Sequence, residues 1–495
     1  MIDNRFAFGV VGGLGALAGA DLLQQLIRVT AADHNRYAIV FEQQSFPGDR
    51  LRADISYDPT GRKLHVFSLS RRLEQRGTDA ILLPCFISQT YLHELQPNIS
   101  TPIVSLMAAL LAKIVTAFPH AKRIGVLTSS YVRDKNLFSQ TFGGSHETIY
   151  PDADAQLELM DVIYADGGIQ SGKDAPVLLQ KLLSICEGLA EKGCDILVPG
   201  FTELSLVYTA LSASLSIPML NVNKCYADYA LEQPTARPRR PFKVGVVGGV
   251  GPLATVDFME KIVKLTKARR DQDHIKMIVE QNPQIPDRTE HLLHQGTDPT
   301  IALFATCKKL EAAEADLIAI PCNTAHAFVD RMQSHLRIPV LNMLDEAMAQ
   351  IASRFAGRLV GLLATSGTIE SGVYAAAAER AGVQIMLPDD EHQALVMEAI
   401  YGVEGVKAGL IEGKCRTDLR LAIDHLAQRG AGVVLLGCSE LPLLFPQTEN
   451  FDAAGQTVAL LDPTLLLASA CVRHARAASP CDAGADRMAD HDPPL

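Results

Sequence analysis

No CxxC pair and no Cys/His cluster at metal-ligand spacing occurs among the ten cysteines and fourteen histidines. Zinc-finger and dithiol redox motifs are therefore excluded, and no metal is expected. Apolar runs are short and broken by glycine, proline or charge, so none reaches the length that spans a bilayer. Positive charge is not in excess either. The net charge of −11 argues against nonspecific binding to nucleic acid or to an anionic membrane. The opening residues, MIDNRFAFGVVGG, carry an acid and run directly into a strand and a glycine turn. That is not a signal-peptide pattern, and a cytoplasmic location is expected. What the chain does have is core material: 48% apolar and 20% charged residues over 495 positions, enough for about two to four domains.

The chain is written twice. Phe8-Gly-Val-Val-Gly-Gly-Leu-Gly15 returns as Val244-Gly-Val-Val-Gly-Gly-Val-Gly251, FPGDR ending at Arg50 as IPDR ending at Arg288, LLPC ending at Cys85 as AIPC ending at Cys322, and Phe201-Thr-Glu-Leu204 as Cys438-Ser-Glu-Leu441. The offsets are 236, 238, 237 and 237 residues. A nearly constant offset over so long a span means duplication of a whole domain, not a short solenoid repeat. Residues 1–231 form the first copy and 243–475 the second. Residues 232–242, with three prolines and a basic cluster, read as a stiff, solvated linker. Residues 476–495 lack apolar periodicity and read as a disordered tail.

Within the second copy, apolar runs alternate with helical patterns: KVGVVGG, MIVEQ, DLIAIP and IPVL, then RLVGLLAT, VQIML and GVVLLG. Such runs read as buried parallel strands, and alternation with helices implies right-handed crossovers. The expected fold is α/β: two tandem domains, each of two Rossmann-like parallel-sheet lobes facing a central cleft. The lobes of the second copy fall near 243–355 and 356–440, with later residues packing back on the first lobe. Cys322 follows DLIAIP and Cys438 follows GVVLLG, so each lies at a strand's carboxyl end, where open α/β sheets bind ligands. Each also precedes a helical pattern, and a helix N-terminus lowers a thiol's pKa.

Other residues invite chemical readings. Gly249-Val-Gly-Pro-Leu-Ala254 fits the dinucleotide fingerprint formally, with Glu280 as the acid closing the next strand. Pro252, however, sits after the second glycine, and the turn is equally an anion-facing helix cap. Asn323 and Thr324 are short hydrogen-bonding residues at a helix start, suited to a carboxylate. Thr365, at the strand end opening the second lobe, is a candidate carboxylate donor. Arg288 and Lys407 read either as surface charges or as site cations. Glu440 reads either as a macrodipole partner or as a group orienting its neighbour.

GGVGP, PDR, PCNTAH, the Thr-Ser-Gly turn, VKAG and LGCSELPLL occur in this order within 243–472. Together they resemble the cofactor-independent aspartate/glutamate racemase family. The resemblance implies transfer of an α-proton between the faces of an amino acid, without pyridoxal phosphate or any other cofactor. One thiolate, of Cys322 or Cys438, removes the proton, and the opposite thiol returns one. It also implies that Asn323, Thr324, the Ala325 backbone, Thr365 and Ser439 hold the α-carboxylate. Arg288 and Lys407 would then face a second carboxylate or stabilise charge at the α-carbon, favouring an acidic amino acid, aspartate ahead of glutamate. The first copy departs from the pattern: Cys85, Arg50 and Glu203 remain, but Phe86, Ile87, Gln170 and Phe201 stand where Asn323, Thr324, Lys407 and Cys438 do. It reads as a degenerate copy retained as a built-in dimer partner, possible further homo-oligomerisation aside. A one-thiol site or a regulatory pocket is the alternative for that copy. For the whole chain the alternatives are another thiol-dependent isomerase or decarboxylase of a small dicarboxylate or hydantoin, or a non-catalytic amino-acid-binding regulator.

Overall fold

The computed structural model describes residues 5–33, 35–46, 53–54, 56–171, 176–232 and 240–478. The chain divides into two compact units, Met1–Arg240 and Pro241–Leu495. Most of the linker expected over 232–242, nearly all of the tail expected over 476–495, and Arg50 lie outside the described residues.

In the first unit, β1 (Phe6–Gly12), β2 (Tyr37–Gln43), β3 (Ala80–Leu82) and β4 (Ile103–Val104) form one sheet in the order β2-β1-β3-β4. A second sheet holds β5 (Arg123–Thr128), β6 (Glu147–Ile149) and β7 (Ile196–Gly200) in the order β6-β5-β7. Every pairing in these sheets is parallel.

The second unit repeats this plan. Its first sheet has the order β11-β10-β8-β9, built from β8 (Lys243–Gly248), β9 (Lys276–Gln281), β10 (Leu317–Ala319) and β11 (Val340–Leu341). Its second has the order β13-β12-β14-β16-β15, built from β12 (Val360–Leu363), β13 (Ile385–Met386), β14 (Val433–Leu436), β15 (Thr448–Ala453) and β16 (Gln456–Leu461). The continuous apolar runs have a direct cause. Strands β8, β10, β12 and β14 lie inside their sheets, covered on both faces, and are buried almost throughout. Each fully buried Val, Ile or Leu there contributes about 1.5–3 kcal/mol.

The segment after residue 440 divides between the lobes, where packing against the first lobe alone was expected. Strand β16 pairs parallel to β14, and β15 closes the sheet as an antiparallel edge. Only the helix Pro463–Ala478 returns, placing Leu467, Ala468 and Cys471 in a core with Val244, Val246 and Phe258 of the first lobe. No helix among the described residues is long and apolar enough to cross a membrane.

The glycine turn after β8 lies against the backbone of Asn282 and Pro283. Gly249 there has φ +86°, and a Cβ on it would fall 2.3 Å from the backbone carbon of Asn282. We expect Gly249→Ala to lower stability by about 1–3 kcal/mol, because neither the backbone region nor the space admits a methyl group. Gly357→Ala is the control: φ is +76° there but nothing lies within 4 Å of the added carbon. Urea unfolding should therefore show a much larger midpoint loss at 249 than at 357.

Candidate active site

Cys322 lies three residues past β10, and Cys438 two residues past β14. The turns are tight: Cys322 N–H donates to Ile320 O at 2.7 Å, and Gly437 N–H to Leu435 O at 3.0 Å. Neither thiol heads an α-helix, contrary to expectation. Thr324–Phe328 and Leu441–Leu443 are 3₁₀ segments, closed by bonds such as His326 N–H to Asn323 O at 3.1 Å and Leu443 N–H to Glu440 O at 3.1 Å. Pro442 supplies no N–H, which removes one donor from a longer ladder.

The two turns meet at one cavity of about 270 Å³, lined by Cys322, Cys438, Arg288, Asn323, Thr324, Thr365, Lys407 and Ser439, among others. This is a volume for a small ligand rather than for a dinucleotide. Of the site residues that the resemblance implies, Ala325 alone is absent from the cavity lining, and it is fully buried. Glu280 is not at the cavity; it pairs with Lys309.

The thiols have unlike neighbours. Arg288 is buried within hydrogen-bonding reach of the Cys322 sulfur. Burial opposes its charge, but Cys322 and Asp287 outweigh that and leave the guanidinium pKa above its ordinary value. Cys438 instead donates its S–H to Glu440 Oε2 at 3.0 Å. Burial, and then the Glu440 charge, push the Cys438 thiol well up, the reverse of the lowering expected from a helix start. Glu440 also accepts from Ser439 Oγ at 3.2 Å and from Lys407 Nζ at 2.9 Å. Burial works against the Glu440 carboxylate, but Lys407 and these bonds prevail and hold its pKa below the usual value. Lys407 is thus already paired within the protein, and its ammonium stands 5.3 Å over the Tyr401 ring.

Two donors in the cavity wall lack partners. Arg288 Nε and Asn323 Nδ2 are buried without a hydrogen bond, a state that costs about 1–3 kcal/mol per group. Asn323 Oδ1 accepts from the buried Tyr374 hydroxyl at 2.5 Å. A hydroxyl cluster completes the wall: Thr324 Oγ1 lies 2.7 Å from Thr368 Oγ1, Thr365 Oγ1 lies 2.9 Å from the same atom, and Thr289 Oγ1 donates to Thr365 Oγ1 at 3.3 Å. Unpaired N–H groups and rotatable hydroxyls suit a carboxylate.

Thr289, Tyr374, Thr368 and Tyr401 were not read from the sequence. Thr289 directly follows Arg288 and was open to notice. Tyr374 carries no local signal, lying 51 residues from the amide it fixes. His326, inside the PCNTAH motif, is a packing residue: it is buried with Nε2 3.3 Å from Ile320 O, and burial lowers its pKa to about 4.

The first unit keeps the cavity but not its chemistry. About 350 Å³ is lined by Cys85, Phe86, Ile87, Gln170, Phe201 and Glu203, together with Arg62. Arg62 was not anticipated. It is buried, with Nη1 3.5 Å from Cys85 Sγ and 3.2 Å from Leu14 O. Phe201 occupies the second thiol's place and packs edge-on against Tyr164.

The chain is similar to known proteins. The family model for Asp/Glu/Hydantoin racemase matches residues 11–230 and again 247–471. A broad specificity amino-acid racemase, RacX of Bacillus subtilis, is 27% identical over 205 residues, covering 37% of this chain and 88% of that protein. A glutamate racemase of Deinococcus radiodurans is 32% identical over 164 residues, covering 32% of this chain and 51% of that protein. The chain therefore spans most of RacX but about half the length of that glutamate racemase. Among solved structures, Picrophilus torridus aspartate racemase is 29% identical with a TM-score of 0.41, covering 48% of this chain and 94% of that one. With the family model matched twice along its length, the chain belongs to the aspartate/glutamate/hydantoin racemase family.

Proposed function

We propose that the second unit racemises an acidic amino acid, aspartate ahead of glutamate, by proton transfer between Cys322 and Cys438. Family membership supports an amino-acid racemase. The observation that carries the finer reading is that both thiols line one small cavity with two unpartnered buried donors, Arg288 Nε and Asn323 Nδ2. Those donors, with Thr324, Thr365 and Ser439, bind the carboxylates. Lys407 contributes field across the cavity, although Glu440 holds part of its charge.

Racemisation needs one thiolate and one thiol at a time. Glu440 sets which is which. It accepts the Cys438 S–H and so keeps the proton there, while negative charge on Cys322 has Arg288 as counterion. In the resting pair, Cys322 takes the α-proton from one face, and the electron pair left on carbon takes the proton of Cys438 from the other. The reverse reaction starts from the opposite protonation of the pair. The first unit, with Phe201 in place of a second thiol, has no second thiol in its cavity wall to return a proton.

Incubation with each enantiomer of aspartate and glutamate in D₂O tests the reading: α-proton loss and appearance of the antipode should proceed together. Absence of exchange with every acidic amino acid would sink it. Cys322→Ser and Cys438→Ser should each lower racemisation by about 10²–10⁴-fold, and Cys85→Ser should leave it near parental.

A second test uses pH. The enantiomers have equal free energy, so kcat/KM has the same pH profile in both directions. Its acid limb reports loss of the pair's first proton and its alkaline limb loss of the second. Because the Glu440 charge raises the Cys438 pKa, removing it in Glu440→Gln lowers that pKa. The alkaline limb should then move to lower pH. An unmoved alkaline limb in an active Glu440→Gln protein would show that Glu440 does not hold the proton.

A further inference from the structure

Away from this cavity, Asp389, His392 and His425 of the second lobe bring one carboxylate and two imidazoles together. One ligand atom from each lies within 4.8 Å of the other two. His392 Nδ1 is 2.6 Å from Asp389 Oδ1, and His425 Nε2 is 3.5 Å from Asp389 Oδ2. The imidazoles stack, with centroids 3.8 Å apart and planes 15° from parallel. Nothing in the proposed racemisation uses these residues.

We propose that Asp389, His392 and His425 form a binding site for a late first-row divalent cation such as Zn²⁺, with water completing the shell. Two nitrogens and a carboxylate suit Zn²⁺, Co²⁺ or Ni²⁺, whereas Mg²⁺ and Ca²⁺ prefer oxygen donors alone. Bonds of about 2.0–2.1 Å place tetrahedral donors about 3.3–3.4 Å apart, so the stacked rings tilt toward one another to bring both lone pairs onto the ion. They have room to do so: the Asp389 side chain is 51% exposed, and those of His392 and His425 are 24% and 15% exposed. Asp389 continues to cap its helix, accepting the His392 N–H at 3.0 Å through Oδ1, while Oδ2 turns to the metal. Arg429 Nη1, 3.3 Å from His425 Nε2, must yield that contact, but it retains the Leu387 carbonyl at 2.9 Å.

The ligands come from two helices that pack together. His392 lies in the first turn of Asp390–Tyr401, and His425 in the last turn of Lys414–Gln428. The first of these helices is also tied to the Thr365 turn through Gln393, whose Nε2 donates to Ala364 O at 3.0 Å. It ends at Tyr401, which lines the cavity. A bound ion would join the start of this helix to its neighbour and hold the far end more firmly at the substrate cavity.

The test is Zn²⁺ calorimetry on the full chain carrying Cys322→Ser and Cys438→Ser, which removes the cavity thiols as competing ligands. One ion per chain should bind, and thermal unfolding should move upward with Zn²⁺. His392→Ala and His425→Ala should each weaken binding at least about tenfold and abolish the thermal shift. Co²⁺ should give a spectrum without a thiolate-to-metal band. Unchanged affinity in both histidine variants, a thiolate band, or no Zn²⁺ binding would each overturn the proposal. Should His425→Ala fail to fold, His392→Ala alone decides, its side chain being the more exposed of the two.

Discussion

The buried Glu440 carboxylate is the constraint on which the second unit's site depends. It is 4% exposed, and an isolated charge so placed would pick up a proton instead. Three donors prevent that: Lys407, Ser439 and the Cys438 thiol. The glycine turn after β8 follows from the same constraint. A Cβ on Gly251 would sit 2.5 Å from Glu440 Oε1, so the absence of a side chain makes room for the carboxylate. The anion that this turn faces belongs to the protein itself. The dinucleotide fingerprint is thus explained by an internal contact.

The first unit shows which contacts remain when the cavity lining differs. A Cβ on Gly15 would fall 2.8 Å from Glu203 Oε1, repeating the Gly251–Glu440 approach. Ser129 caps its helix as Thr365 does, each side chain accepting an N–H three residues on. Gln156 donates to Thr128 O at 2.9 Å just as Gln393 donates to Ala364 O. What changed is the wall. Phe86 and Ile87 replace an amide and a hydroxyl, and Phe201 replaces a thiol, so hydrogen-bonding surface has become apolar. The supporting contacts of strand ends and caps do not require the reacting groups.

Strands and thiol turns were legible because a parallel strand buried on both faces must be a continuous apolar run, and its end is marked by Pro321 or Gly437. The twofold plan was legible from spacing alone. Sequence could not give the local helix type, since Pro442, three residues past Ser439, favours 3₁₀ geometry without dictating it. Nor could it give the sign of the Cys438 shift. That sign comes first from burial of the thiol and then from the Glu440 carboxylate turning toward it, neither of which the spacing in sequence reveals. Lys407 was read as a substrate cation because its charge was visible and its partner was not. Tyr374 was invisible because an aromatic in an alanine-rich helix reads as core, which it is, except at its hydroxyl.

These details sharpen what two cysteines at strand ends can accomplish. In water two free thiols are equivalent, and nothing assigns the single negative charge of a thiolate–thiol pair. Here the thiols have neighbours of opposite sign, a guanidinium beside Cys322 and a carboxylate beside Cys438, and in the proposed mechanism these make the assignment. Lys407 then moderates the second, offsetting part of the Glu440 charge at the thiol. Were Glu440 unpaired, it would bind a proton and lose its hold on the thiol. Were Lys407 alone, it would draw Cys438 toward the thiolate and leave the pair without a donor. In the proposed mechanism the ion pair keeps Glu440 charged and so holds the proton on Cys438, while Lys407 limits how far the thiol is raised.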